Sequence, residues 1–188
     1  MTSALRLAGF VLGCALLSGP APAAESFVIR SAELVPVGSD YVLNADIHYA
    51  FSASALEALD NSVPLTLAMN LRVERVRPHW WNETILDRRH QLEIRYHPLG
   101  QLFQLNVDDR GNRQSFTTLA SLLDAMGSIR RLPVIATDRI LAGERYVAEL
   151  SVRLDIETLP LPLRPTAYLS PSWYLSSPTY RWSFAKSD

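Results

Sequence analysis

The segment that decides the fold is residues 41–51, which reads Tyr-Val-Leu-Asn-Ala-Asp-Ile-His-Tyr-Ala-Phe. Aromatic or aliphatic residues occupy every second position, and mostly polar residues lie between them. This period of two is typical of a strand with one buried and one solvated face, because successive side chains of a strand point to opposite sides. Segments 65–74 and 145–156 alternate in the same way. Clean alternation of this kind favours antiparallel sheet.

Weaker strand patterns complete the sheet prediction. They cover residues 27–35, 89–97, 102–108, 130–136 and 179–184. The turn sequence Pro98-Leu99-Gly100 lies between two of them and predicts a hairpin. We therefore predict a mainly β, antiparallel, sandwich-like domain of seven or eight strands.

Two short helices are predicted between the strands. Ser54 and Glu57 have the spacing of a capping box, and that helix is expected to end near Asp60. Thr117 is expected to cap a second helix, in which leucines recur at helical spacing. Gly127 follows them as a natural residue for the end of that helix.

The tail from residue 159 to 188 has a different composition. Five prolines exclude a helix and a central strand there, although the segment is too rich in leucine, tyrosine and tryptophan for a disordered linker. We expect an extended strap, defined as residues 159–178, that lies across the domain and leads into the last strand. No linker interrupts the chain before it, so residues 25–188 are predicted to form one domain.

The N-terminus carries an export pattern in residues 1–24. Arg6 precedes an apolar stretch at 7–17 that is too short to span a bilayer as a stable anchor, and Ala21-Pro22-Ala23 forms a small-x-small cleavage signal. We expect a signal peptide that is removed after export. Two alternatives remain open, namely a lipoprotein modified at Cys14 and an uncleaved membrane anchor.

Composition excludes several classes of function. The chain has 18 basic and 19 acidic residues, so no strong field attracts nucleic acid. The only cysteine is Cys14, which leaves residues 25–188 without thiol chemistry. There is no dinucleotide, phosphate-loop or nucleophile-elbow motif. Asp46 and His48 share a strand face, but a solvated face is favoured there over a metal site. We predict no cofactor, no metal site and no enzymatic activity.

The segment with the clearest functional signal is 77–83, which reads Arg-Pro-His-Trp-Trp-Asn-Glu. If Trp80 and Trp81 are exposed, they are anchors for a partner or for a membrane interface. The alternative is that both pack beneath the strap with Trp173 and Trp182 as ordinary core. The predicted contact surface comprises Trp80, Trp81 and the strap around Trp173.

Several segments together resemble the uncharacterised bacterial family called domain of unknown function 4390. They are residues 31–34, 41–51, 63–65, 77–81, 92–99, 114–119, 143–146, 159–162 and 172–184. The resemblance implies a small exported protein without an assigned reaction. It also implies a gene beside a membrane histidine kinase and its response regulator, which suggests a periplasmic accessory role for that sensor.

Three functions follow in order of preference. The first is a non-enzymatic periplasmic interaction module, with a membrane histidine kinase or another envelope protein as partner. The second is a carrier of an apolar ligand or lipid, with a cavity between the sheets and the strap as its lid. The third is a hydrolase assembled from scattered histidine, aspartate and serine residues.

Overall fold

The structure of the protein is a computed structural model that describes residues 27–108 and 112–186. The predicted export signal at 1–24 lies outside the described residues. The described chain forms nine strands and three α-helices. The strands are β1 (Val28–Val37), β2 (Asp40–His48), β3 (Leu65–Arg75), β4 (Glu83–His97), β5 (Leu102–Val107), β6 (Asn112–Phe116), β7 (Ser128–Ala136), β8 (Arg145–Leu154) and β9 (Tyr180–Ala185). The helices are α1 (Ala53–Asp60), α2 (Leu119–Gly127) and α3 (Arg164–Leu169).

The strands form two antiparallel sheets. The smaller sheet has the order β1-β2-β7, and the larger has the order β6-β5-β4-β3-β8-β9. Every neighbouring pair in both sheets is antiparallel. The prediction of a mainly β, antiparallel domain is therefore confirmed.

One hydrophobic cluster joins the two sheets, and the alternation in the sequence explains it. In β2, Tyr41, Leu43, Ala45 and Ile47 are buried, and the alternate residues of β3 and β8 are buried in the same way. These side chains belong to a single cluster that also includes α1 and α2. The inward faces therefore build the core, while the polar positions between them face outward.

Strand β6 is the strand that the sequence does not predict, because its residues show no apolar alternation. Its residues read Asn-Arg-Gln-Ser-Phe, a short polar segment at the edge of the larger sheet. An edge strand that contributes little to the core needs no apolar alternation. Strand β4 also begins at Glu83 rather than at residue 89, because its polar first half pairs with the end of β3. The described residues thus contain one strand more than the predicted upper limit of eight.

Both predicted helices exist, with caps shifted by one or two residues. The N-cap of α1 is Ser52, whose hydroxyl accepts a hydrogen bond of 3.2 Å from the amide of Ala55. The N-cap of α2 is Thr118, whose hydroxyl accepts one of 3.1 Å from the amide of Ser121. Gly127 is the last residue of α2 and lies against β2. A β-carbon there would stand 2.2 Å from the carbonyl oxygen of Ile47, so only glycine permits this approach.

The strap differs from the prediction because it contains a helix. Pro165 lies in the first turn of α3, where proline is tolerated since the amide hydrogen that it lacks has no partner within the helix. The strap is fixed to the end of β8 by backbone hydrogen bonds from Leu154 to Leu175 and from Ser177 to Val152, each 2.8 Å long. Within the described ranges, none of the helices has the length and apolarity needed to cross a bilayer.

Candidate functional site

The two tryptophans of the predicted contact surface lie at the end of a long hairpin. We call loop 76–82, which joins β3 to β4, the tryptophan tip. Trp80 is 78% exposed and Trp81 is 91% exposed. The interpretation in which both tryptophans pack beneath the strap is therefore wrong, because both indole side chains are exposed to solvent.

The β3–β4 hairpin extends past its own last fully buried residues. Val73 in β3 and Leu86 in β4 are the last buried residues before the tip, and they face each other across the two strands. The pairing register shifts just beyond them, between Val73 and Glu74. Such a bulge bends a strand pair and increases its local twist. From this point outward the residues of the two strands and the loop are half-buried or exposed, although Arg75 still pairs with the buried Tyr146 of β8.

Ion pairs and hydrogen bonds hold the base of the tip in place. Arg75 and Arg77 both donate hydrogen bonds to the carboxylate of Glu83. The hydrogen bond from Arg75 is the main reason that the pKa of Glu83 lies below its usual value. A backbone hydrogen bond of 2.9 Å from Val76 to the carbonyl of Arg145 ties the loop to β8. The tip is therefore braced on the β4 side and on the β8 side.

Trp173 is not part of this surface. It is only 6% exposed and belongs to the hydrophobic core. It lies near α1, where the hydroxyl of Ser172 donates a hydrogen bond of 3.2 Å to that of Ser54. Trp173 therefore lies at the end of the larger sheet where β3 begins, and the tryptophan tip lies at the other end, where β3 stops. Strand β3 has 11 residues, which span about 35 Å. The structure thus separates Trp173 from Trp80 and Trp81.

A buried histidine–aspartate pair is a feature that sequence reasoning missed. His90 of β4 is 8% exposed, and its Nδ1 atom lies 2.7 Å from a carboxylate oxygen of Asp108. The other oxygen of Asp108 accepts a hydrogen bond of 2.9 Å from the amide of Gln91. Two residues 18 positions apart meet here because β4 and β5 form a hairpin, and only the strand register reveals it.

The pair lacks the third group of a nucleophilic site in the part of the chain that the structure describes. Among the described residues, the Nε2 atom of His90 is buried and has no hydrogen-bond partner. A serine hydroxyl that His90 could activate would have to lie within hydrogen-bond reach of that atom. Likewise, across residues 27–108 and 112–186, no three histidine, aspartate, glutamate or cysteine side chains group as metal ligands do.

Asp46 and His48, which were predicted to share a polar strand face, line one cavity where the end of β2 and the start of β7 meet α2. The cavity has a volume of about 510 Å³. Asp46 accepts hydrogen bonds of 2.6 Å from Arg130 and 3.1 Å from Ser31. The bond from Arg130 is the main cause of a lowered pKa for Asp46. A second, wider cavity of about 870 Å³ shares Asp46 and Arg130 and continues over the same face.

A third cavity lies beneath the strap. Its volume is about 280 Å³, and its lining includes Leu154, Tyr168, Trp173, Tyr174 and Leu175. This cavity lies at the end of β8 and not between the two sheets, where the carrier interpretation expected one. The strap therefore covers a small aromatic pocket of its own.

Comparison with known proteins identifies the family of the chain. A family model described as a domain of unknown function, DUF4390, matches residues 24–183, so the chain belongs to that family. The resemblance seen in the sequence is thereby confirmed. No curated protein and no solved structure matches the chain.

Proposed function

We propose that this member of the DUF4390 family is a non-enzymatic interaction module of the cell envelope, and that it contacts its target through the tryptophan tip. One observation carries the proposal. Trp80 and Trp81 are adjacent, large and apolar, and both are exposed, by 78% and 91%, in the loop between β3 and β4.

The energetic argument rests on what burial of these rings would contribute. An aromatic side chain of this size buries on the order of 150–250 Å². At about 25 cal/mol per Å² this corresponds to roughly 4 kcal/mol or more per ring, before the entropic costs of association are subtracted. Inside the protein neither ring obtains this stabilisation. An exposed pair of this kind is typical of a contact anchor.

The braced base supports the same proposal. The ion pairs of Arg75 and Arg77 with Glu83 and the hydrogen bond from Val76 to β8 restrict the loop before any contact is made. A loop that is already ordered loses less conformational entropy on binding. The tip therefore has the two properties of an effective contact site, namely exposed apolar area and preorganisation.

The setting of the contact belongs to the proposal as well. Segment 1–24 would direct the chain to the periplasm, and cleavage near Ala23 or Ala24 would release it. A membrane histidine kinase is the partner that the family resemblance suggests. In that arrangement the protein acts beside the membrane as an accessory to the sensor.

Crosslinking in cells tests the proposal. A photo-crosslinking residue replaces Trp81, and a matched variant carries it at Leu99, which is an exposed apolar residue in the β4–β5 turn. We expect position 81, and not position 99, to capture a discrete protein or lipid. Capture of nothing at position 81 by a folded protein, or the same products at both positions, would refute the proposal.

A carrier function is the second candidate, because of the pocket beneath the strap. Its volume of about 280 Å³ and its lining by aromatic and charged residues suit a small molecule that has an apolar body and a polar group. The aromatic residues are Tyr168, Trp173 and Tyr174, and the charged residues are Arg153, Asp155 and Glu157. Native mass spectrometry of protein purified from its own cells tests this function. A stoichiometric added mass that disappears when Tyr174, an exposed residue of the pocket lining, is replaced by alanine supports a carrier, and a bare mass contradicts it.

A further inference from the structure

We infer that the target of the tryptophan tip is the lipid–water interface of a bilayer, into which Trp80 and Trp81 insert their rings. This inference rests on the proposed function and specifies the surface that the tip meets. A protein pocket is the competing target, and the experiment below separates the two.

The chemistry of indole favours this surface. Tryptophan combines a large apolar ring with one N–H donor, and it is enriched where membranes meet water because both parts are satisfied there. Trp80 and Trp81 are consecutive, and both rings are exposed in the loop that joins β3 to β4. A fluid interface accepts both rings without a complementary shape.

The size of the tip argues against a protein pocket as its sole target. A stable protein–protein interface uses about 20 to 30 residues on each side, many more than loop 76–82 contains. The three cavities described above are lined by residues of the smaller sheet, α2, the end of β8 with the turn after it, and the strap, and not by the tip. A contact made by so few residues suits shallow insertion better than docking over a wide surface.

The charges around the tip predict how the insertion depends on lipid charge. Charges of both signs are mixed at this end of the larger sheet, so only a small net field draws the tip to anionic lipid. The basic residues are Arg75, Arg77, Arg145 and Lys186, and the acidic residues are Glu74, Glu83 and Glu144. Apolar burial, and not electrostatic attraction, must then supply the affinity. Binding is expected to persist on zwitterionic lipid and to change little with salt.

The expected contact is reversible. Shallow insertion of two side chains resembles a single acyl chain, which gives only marginal membrane binding on its own. The tip would orient the protein on the membrane surface and raise its local concentration near a membrane-embedded partner. It would not anchor the protein permanently.

Vesicle binding tests the inference. Protein purified from cells, with its N-terminus verified by mass spectrometry, is sedimented with vesicles of phosphatidylcholine and with equimolar phosphatidylcholine and phosphatidylglycerol. The variants are Trp81→Ala and the double variant Trp80→Ala/Trp81→Ala, and Leu99→Ala is the matched control. All four proteins carry the same N-terminus, so differences report on the tip.

We expect the wild type to bind both vesicle types, Trp81→Ala to lower the partition coefficient by about tenfold or more, and Leu99→Ala to leave it unchanged. Equal binding by the double variant overturns the inference, as does binding confined to anionic vesicles and abolished by salt. If vesicles are not bound but the crosslinker at position 81 captures a protein, the inference fails and the proposed function stands. If neither occurs, both fail.

Discussion

The contrast between Trp81 and Trp173 gives the sharpest test of the structure. Both are replaced by alanine, so the same atoms are removed at two sites with opposite surroundings. Trp81 is 91% exposed on the tip, and Trp173 is 6% exposed within the core. Removal of an exposed side chain that contacts little changes the free energy of unfolding by about 0.5 kcal/mol or less. Removal of a buried tryptophan leaves a cavity and costs about 3–5 kcal/mol.

These free energies convert to melting temperatures for a domain of this size. One kcal/mol shifts the melting temperature by about 2–4 °C for 150–250 residues. We therefore expect Trp81→Ala to melt within about 2 °C of the wild type and Trp173→Ala to melt roughly 6–20 °C lower. Thermal unfolding followed by circular dichroism measures both shifts without relying on tryptophan emission.

The same pair of variants separates function from stability. Trp81→Ala should remain fully folded but bind less to vesicles. It should also give less crosslinked product when the crosslinker is placed at another position of the tip, such as His79. A large loss of stability in Trp81→Ala would show that this ring is packed in the core. The proposed role of the tip would then be wrong.

Two further predictions concern other parts of the fold. Gly127→Ala should lower the melting temperature by about 2–12 °C, because the new β-carbon would meet the carbonyl oxygen of Ile47 at 2.2 Å. Gly100→Ala places its β-carbon 3.7 Å from the nearest atom and should be nearly neutral. Equal melting temperatures of the two variants would contradict the packing of α2 on β2. The ion pairs of Glu83 should also depend on pH. In the folded protein the pKa of Glu83 is lowered below its usual 4.5. Its contribution to the stability of the loop is therefore complete above that value and is lost as the pH falls through the lowered pKa. Amide NMR signals of loop 76–82 should report this loss, and Glu83→Gln should remove that pH dependence; an unchanged titration in Glu83→Gln would show that another group controls the loop.

The sequence predicted the strands because burial on one face of a sheet imposes its own period. Segments 41–51, 65–74 and 145–156 alternate since β2, β3 and β8 each have a core-facing side. The same physics explains the missed strand. An edge strand such as β6 packs few side chains, so nothing in its sequence needs to alternate. Helix α3 is not evident from the sequence because prolines in this segment suggest a break. Pro165 is nevertheless compatible with a helix, since it lies in the first turn.

The sequence identified Trp80 and Trp81 as candidate contact residues, but it did not predict whether their side chains are exposed. The sequence shows that Trp80 and Trp81 lie between two strands, but whether another segment covers them depends on the path of the strap. That path places Trp173 at the opposite end of β3. The pair formed by His90 and Asp108 was hidden for a related reason, because its formation depends on the register of β4 and β5.

The length of the β3–β4 hairpin is itself an argument for a contact role. The last fully buried residues of this hairpin are Val73 and Leu86, yet the two strands continue to Arg75 and Glu83 before the loop begins. In this extension Ile85 is only partly buried against the core, and ion pairs at a surface contribute at most about 1 kcal/mol each, so the extension adds little to stability. What the extension does provide is a braced position for two exposed indoles. A segment that adds little to folding and still exposes its most apolar residues is best explained by a contact that those residues make.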